Sequence, residues 1–113
     1  MNTTKANNSN LKKMRQPIPP LRTETQTVQI EFSDSAAESV AIAGTFNDWR
    51  PEITPMVPLG NGRWVRALSL PPGTYEYCLV VNGDKWLPDP QARELTPNPF
   101  GGRNSVMKVS QPA

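Results

Sequence analysis

The sequence has no histidine and one cysteine, Cys78. Zinc sites of the usual Cys/His kind cannot be assembled from that inventory. A Ser–His or Cys–His nucleophile pair is equally out of reach. A lone cysteine allows no internal disulfide, which fits a reducing compartment such as the cytoplasm. No window of about 18 residues is continuously apolar, so no membrane-spanning helix is expected. The amino terminus has no apolar stretch of the signal-peptide kind. A helical 3.6-residue apolar pattern is also absent. Nothing in this inventory implies a cofactor. What is abundant is punctuation: 13 prolines and 7 glycines in 113 residues, which points to short elements joined by turns.

Ten carboxylates remain as acid/base candidates. Asp48 with Glu52, or Asp84 with Asp89, are the pairs that could meet in space, although carboxylates in turns are ordinarily solvated turn formers. The net charge of +2 conceals an asymmetry. Residues 1–22 hold Lys5, Lys12, Lys13, Arg15 and Arg22 and no acid, whereas residues 23–113 hold seven basic and ten acidic side chains. The larger part is therefore mildly acidic, which argues against a nucleic-acid-binding domain.

Residues 1–22 are rich in Asn, Thr and Lys and end in a proline-rich run. They read as a disordered basic tail, either a solvated linker or an arm for an acidic partner. A domain is expected over residues 23–110, with 111–113 as a short tail. Strict alternation over Thr27–Phe32 marks a strand burying Val28, Ile30 and Phe32. Ser39–Gly44 reads as a second strand, Val40 and Ile42 inward, Ala41 and Ala43 outward, with Gly44 at a close approach or bulge. Pro51, Pro55 and Pro58 confine any strand near 50–59 to a short edge piece. Asn61-Gly62 and Asn82-Gly83 supply the positive φ values of tight hairpins. Between them lie two more strands, Arg63–Leu70 and Tyr75–Val81. The second points Tyr75, Tyr77, Leu79 and Val81 inward and Glu76, Cys78 and Val80 outward. A short strand at Lys85–Leu87, a loop over residues 91–103 and a last strand at Asn104–Val109 complete the chain. About seven short strands at this spacing predict an all-β antiparallel sandwich.

The three tryptophans divide by position. Trp64 lies mid-strand in phase with Leu68 and Leu70 and reads as core. Trp49 and Trp86 sit at strand ends beside proline or charge. Each either plugs an end of the sandwich or offers a flat apolar face to a ligand. A pyranose ring, with one apolar face and many hydroxyls, suits such a surface. Covering an aromatic side chain is worth roughly 1.5–3 kcal/mol. Two such platforms with a few hydrogen bonds correspond to a Kd of about micromolar to millimolar.

Gly44-Thr45-Phe46-Asn47-Asp48-Trp49, Leu70-Pro71-Pro72-Gly73-Thr74-Tyr75-Glu76-Tyr77, Val81-Asn82-Gly83 with Trp86 and Asp89-Pro90, and Asn104-Ser105-Val106 follow one another along the chain. Together they resemble carbohydrate-binding module family 48, which includes the glycogen-binding domain of the AMP-activated protein kinase β subunit and the early-set domains of isoamylases. The resemblance spans about residues 25–110. It implies an immunoglobulin-like early-set β-sandwich and an α-1,4-glucan ligand such as glycogen, starch or a maltooligosaccharide. It places the stacking tryptophans at Trp49 and Trp86, the hydroxyl-binding asparagine at Asn104, and the apolar residue packed against the glucan at Phe100. Two positions depart from the pattern. A sugar-facing lysine is replaced by Cys78, and a threonine by Gly102. Lys85, in a hairpin one residue longer, either reaches the sugar in place of that lysine or is solvated.

Two functions are expected to compete. One is a non-catalytic glucan-binding module, alone or with a glucan-active enzyme. The other is an interaction or scaffold domain of the same fold without a working sugar site. An enzyme is disfavoured, because a catalytic barrel needs roughly 200 residues or more.

Overall fold

A computed structural model describes residues 24–111. The basic tail expected over residues 1–22 lies outside the described residues. Eight strands follow in order: β1 (Gln26–Ser33), β2 (Val40–Gly44), β3 (Val57–Gly60), β4 (Arg63–Leu70), β5 (Gly73–Val81), β6 (Lys85–Leu87), β7 (Glu94–Pro97) and β8 (Arg103–Val109). A single 3-10 turn, Pro51–Ile53, precedes β3, and the described residues contain no α-helix.

The strands form two antiparallel sheets of a sandwich, the immunoglobulin-like early-set architecture that the strand pattern and the resemblance predict. The smaller sheet has the order β1-β4-β3. The larger has the order β2-β5-β8-β7, with β6 also paired to β5. Alternation in the sequence becomes the core directly. Ile30 and Phe32 of β1, Trp64, Leu68 and Leu70 of β4, and Ile42, Tyr77, Leu79 and Val81 of the larger sheet are buried in one cluster. Phe32 lies directly opposite Trp64 in the β1–β4 ladder, so Trp64 is core, as its phase predicts. Each such side chain contributes about 1.5–3 kcal/mol on leaving water. Arg66 interrupts the inward row of β4 and turns its guanidinium to the Pro55 carbonyl, 2.9 Å away.

Both Asn-Gly hairpins form as predicted, with φ of 54° and 75° at Asn61 and Gly62 and 55° and 79° at Asn82 and Gly83. Asn82 has a second role: its Oδ1 accepts from the backbone N–H of Glu38 and Ser39 and ties this hairpin to the start of β2.

Three expectations are corrected. The stretch 91–103, expected as a loop, contains β7, which makes eight strands rather than about seven. Glu94–Pro97 has no alternation to betray it, and Leu95, its large apolar residue, stays exposed. Backbone pairing to β8 makes it a strand. β2 starts at Val40, and β5 runs back to Gly73. Finally, Ala43, Cys78 and Val80 point away from the core yet are buried. On that outer face Ala43 pairs with Cys78, and Val80 lies between Ala41 and Trp86.

β5 is the strand that positions everything else. One edge is covered by β2 along residues 77–81. The other edge changes partner midway: β8 pairs with residues 73–77 and β6 with residues 79–81. Cys78 sits at the changeover. The chain that leaves β6 returns through residues 88–102 to become β8, and so has to arch around this point.

Candidate functional site

The turn after β2 owes its shape to Asn47. Its buried side chain accepts from the Gly44 N–H at 2.9 Å and the Arg50 N–H at 3.3 Å. The amide nitrogen donates to the Ile42 carbonyl and Thr54 Oγ1, each at 2.9 Å. Gly44 carries no side chain for a steric reason: a Cβ there would lie 2.7 Å from the Glu76 carbonyl and 2.8 Å from the Tyr77 Cβ. The turn so gripped forces Asp48 and Trp49 to φ of 61° and 60°. Left-handed backbone costs a side-chain-bearing residue roughly 1–2 kcal/mol, and bulky residues rarely adopt it. The strain aims the half-buried indole of Trp49 toward the outer face of β5.

From the other direction comes Trp86, opposite Val80 and 49% exposed. A third wall is the 98–102 turn, wound around Asn98. Asn98 Oδ1 accepts from the backbone N–H of Phe100 at 2.9 Å and of Gly102 at 3.1 Å, and its own N–H donates to the Gly102 carbonyl. At the tip stands Phe100, 93% exposed, the barest large apolar side chain among the described residues.

These walls enclose an open groove of about 820 Å³. Trp49, Trp86, Phe100 and Asn104 line it, together with Thr45, Glu76, Cys78, Pro88, Asn98 and Arg103. Four residues singled out in the sequence are therefore brought together. Lys85 is not among the lining residues: it pairs with Val81, whose side chain faces the core, so it belongs to the sheet face opposite Trp86.

The groove floor is a polar network. Asn104, 7% exposed, accepts at Oδ1 from the Cys78 thiol and from Asn98 Nδ2, each at 3.2 Å. Its Nδ2 donates to Glu76 Oε1 at 3.0 Å. Burial pushes the Cys78 thiol above its ordinary pKa, so it is a neutral donor at physiological pH.

Below the floor, Asp89 locks the departing chain to the core. Tyr77 donates its hydroxyl to Asp89 Oδ2 at 2.6 Å, and the Asp89 N–H donates to the fully buried Ser105 hydroxyl at 2.7 Å. Burial, then the adjacent Asp89 carboxylate, pushes the Tyr77 hydroxyl far above the usual tyrosine range. The carboxylate pairs considered from sequence are spoken for: Asp89 serves Tyr77 and the Gln91 N–H, and Glu52 pairs with Arg50 at 3.1 Å. Glu76, Asn98 and Arg103 were missed as groove residues. Period two did place Glu76 on the outer face, and that was the signal available.

Residues 26–113 match the family described as the glycogen recognition site of AMP-activated protein kinase. The chain belongs to this family. The family is one of carbohydrate-binding modules, which are not themselves catalytic. No curated protein matches it. Among solved structures it is similar to a Salmonella typhimurium protein assigned as an alpha amylase, with 18% identity and a TM-score of 0.58. That similarity covers 77% of this chain and 15% of the other, and it speaks for the shared fold. Among the described residues no helix is long and apolar enough to cross a membrane.

Proposed function

We propose that this domain is a non-catalytic module that binds an α-1,4-glucan such as glycogen, starch or a maltooligosaccharide. The observation that carries the reading is the convergence of Trp49, Trp86, Phe100 and Asn104 on one groove. The indoles offer stacking faces to successive glucose rings, and Phe100 supplies an apolar contact from the third side. The one Nδ2 hydrogen of Asn104 left over after Glu76 is a donor for a sugar hydroxyl. No two of these three aromatic rings stack on each other, since the aromatic pair among the described residues is Phe46 with Tyr75. None of the three therefore covers another. Absence of histidine from the sequence supports a binding role over a catalytic one. A glucan-active enzyme is the protein partner this role implies, and the cytoplasm the compartment.

Titration with β-cyclodextrin or maltoheptaose, followed by tryptophan fluorescence, tests the reading. Saturable quenching or enhancement is expected with a Kd of about micromolar to millimolar. Trp86→Ala removes half of the stacking surface and is expected to weaken binding at least tenfold, with little change in thermal stability. No response at millimolar sugar sinks the proposal. A second reading, a scaffold domain, is favoured by one observation: Asn104 is largely consumed by Cys78, Asn98 and Glu76. Retention of a partner protein by a variant lacking both groove indoles distinguishes it.

A further inference from the structure

A glucose unit presents several hydroxyls, and each needs an acceptor as well as a donor. The side-chain amide acceptors of the groove are already engaged. An amide oxygen has two lone pairs. Asn104 Oδ1 spends both on Cys78 and Asn98, and Asn98 Oδ1 spends both on Phe100 and Gly102. Thr45 Oγ1 receives the Glu76 N–H at 3.3 Å, which leaves this neutral hydroxyl one lone pair. The charged acceptor among the lining side chains is the Glu76 carboxylate. It lines the groove, is half-buried, and is held through Oε1 by Asn104. Its second oxygen has no protein donor among the described residues. Nor does any described cation lie within 4 Å of it, the ion pairs being Arg50–Glu52, Arg63–Glu31 and Lys108–Glu94.

Resting on the glucan-binding reading, we propose that Glu76 is a ligand-contacting, specificity-determining residue that accepts hydroxyl hydrogens of a glucose unit lying between Trp49 and Trp86. Asn104 is then chiefly its positioning residue. The neighbouring Cys78 is a neutral thiol that supplies no cation, and the carboxylate, in none of the ion pairs, is free to accept. Hydrogen bonds to an ionised acceptor are about twice as strong as neutral ones, so the carboxylate outweighs any single amide of the groove.

The test is calorimetric titration of the full chain with maltoheptaose, comparing wild type with Glu76→Gln. The glutamine oxygen still accepts from Asn104, so the melting temperature is expected to stay within a few degrees of wild type. The affinity is expected to fall about tenfold with the charge. In parallel, the side-chain carboxylate carbon of Glu76 in wild-type protein is followed by NMR during the titration and is expected to shift on saturation. Equal affinity of the two proteins, or an unmoved Glu76 resonance in a wild type that binds the sugar, overturns the assignment and leaves the glucan reading standing. A wild type that does not bind maltoheptaose removes both.

Discussion

The two faces of β5 come from one alternating run and are buried for different reasons. On the inner face Tyr77, Leu79 and Val81 are buried against the opposite sheet, where nonpolar packing suffices. On the outer face Cys78 and Val80 are buried while Glu76 is half-buried beside the groove, and a polar network joins Glu76 and Cys78 through Asn104. The inner face holds the fold together by area. The outer face is held by a few directional hydrogen bonds, and those leave room for a groove. Stability thus falls to one set of alternate residues of the strand and the proposed recognition to the other.

That division can be broken or sharpened by mutation. Leu79→Ala, at a position with 0% exposure, is expected to cost about 3–4 kcal/mol, read as a lower midpoint in chemical denaturation. A comparable loss from an outer-face truncation would erase the distinction. Asn47→Ala comes next, at about 2–3 kcal/mol, because it removes four hydrogen bonds, three of them buried. It is also expected to weaken glucan binding, since Trp49 then relaxes from its left-handed backbone; a variant that loses stability but binds as before separates the strain from the site. Cys78→Ser is the gentlest. The hydroxyl can donate to Asn104 as the thiol does, and the change is expected to stay within about 1 kcal/mol in stability and about threefold in affinity. A larger loss in denaturation would show that the sulfur is needed for packing.

Most of the inner face was legible in the sequence. Val28, Ile30 and Phe32, Trp64 and Leu68, and Tyr77 through Val81 declare their strands by period two, and each Asn-Gly marks a hairpin that forms. The chemistry of Asn and Gly dictates those turns locally. β7 was not legible, because Glu94–Pro97 is a strand through its partner and not through its own composition. The outer face was half legible. Resemblance placed Trp49, Trp86, Phe100 and Asn104, and the structure gathers them. Lys85 was placed beside a tryptophan in sequence, and adjacency along a strand sends the two side chains to opposite faces. The strain at Asp48 and Trp49, and the roles of Asn47, Asn98 and Asp89, depend on partners 2 to 16 residues away. No local pattern records them.

The change of partner halfway along β5 has a consequence for redesign. The walls of the groove come from two turns and the short strand β6, and its floor from side chains on the face of the sheet turned away from the sandwich interior. Positions such as Glu76, Phe100 and Arg103, none of them buried, can therefore be randomised as a set while the inner packing stays intact. The domain is built like an interchangeable tool head, whose grip can be exchanged without remaking the handle.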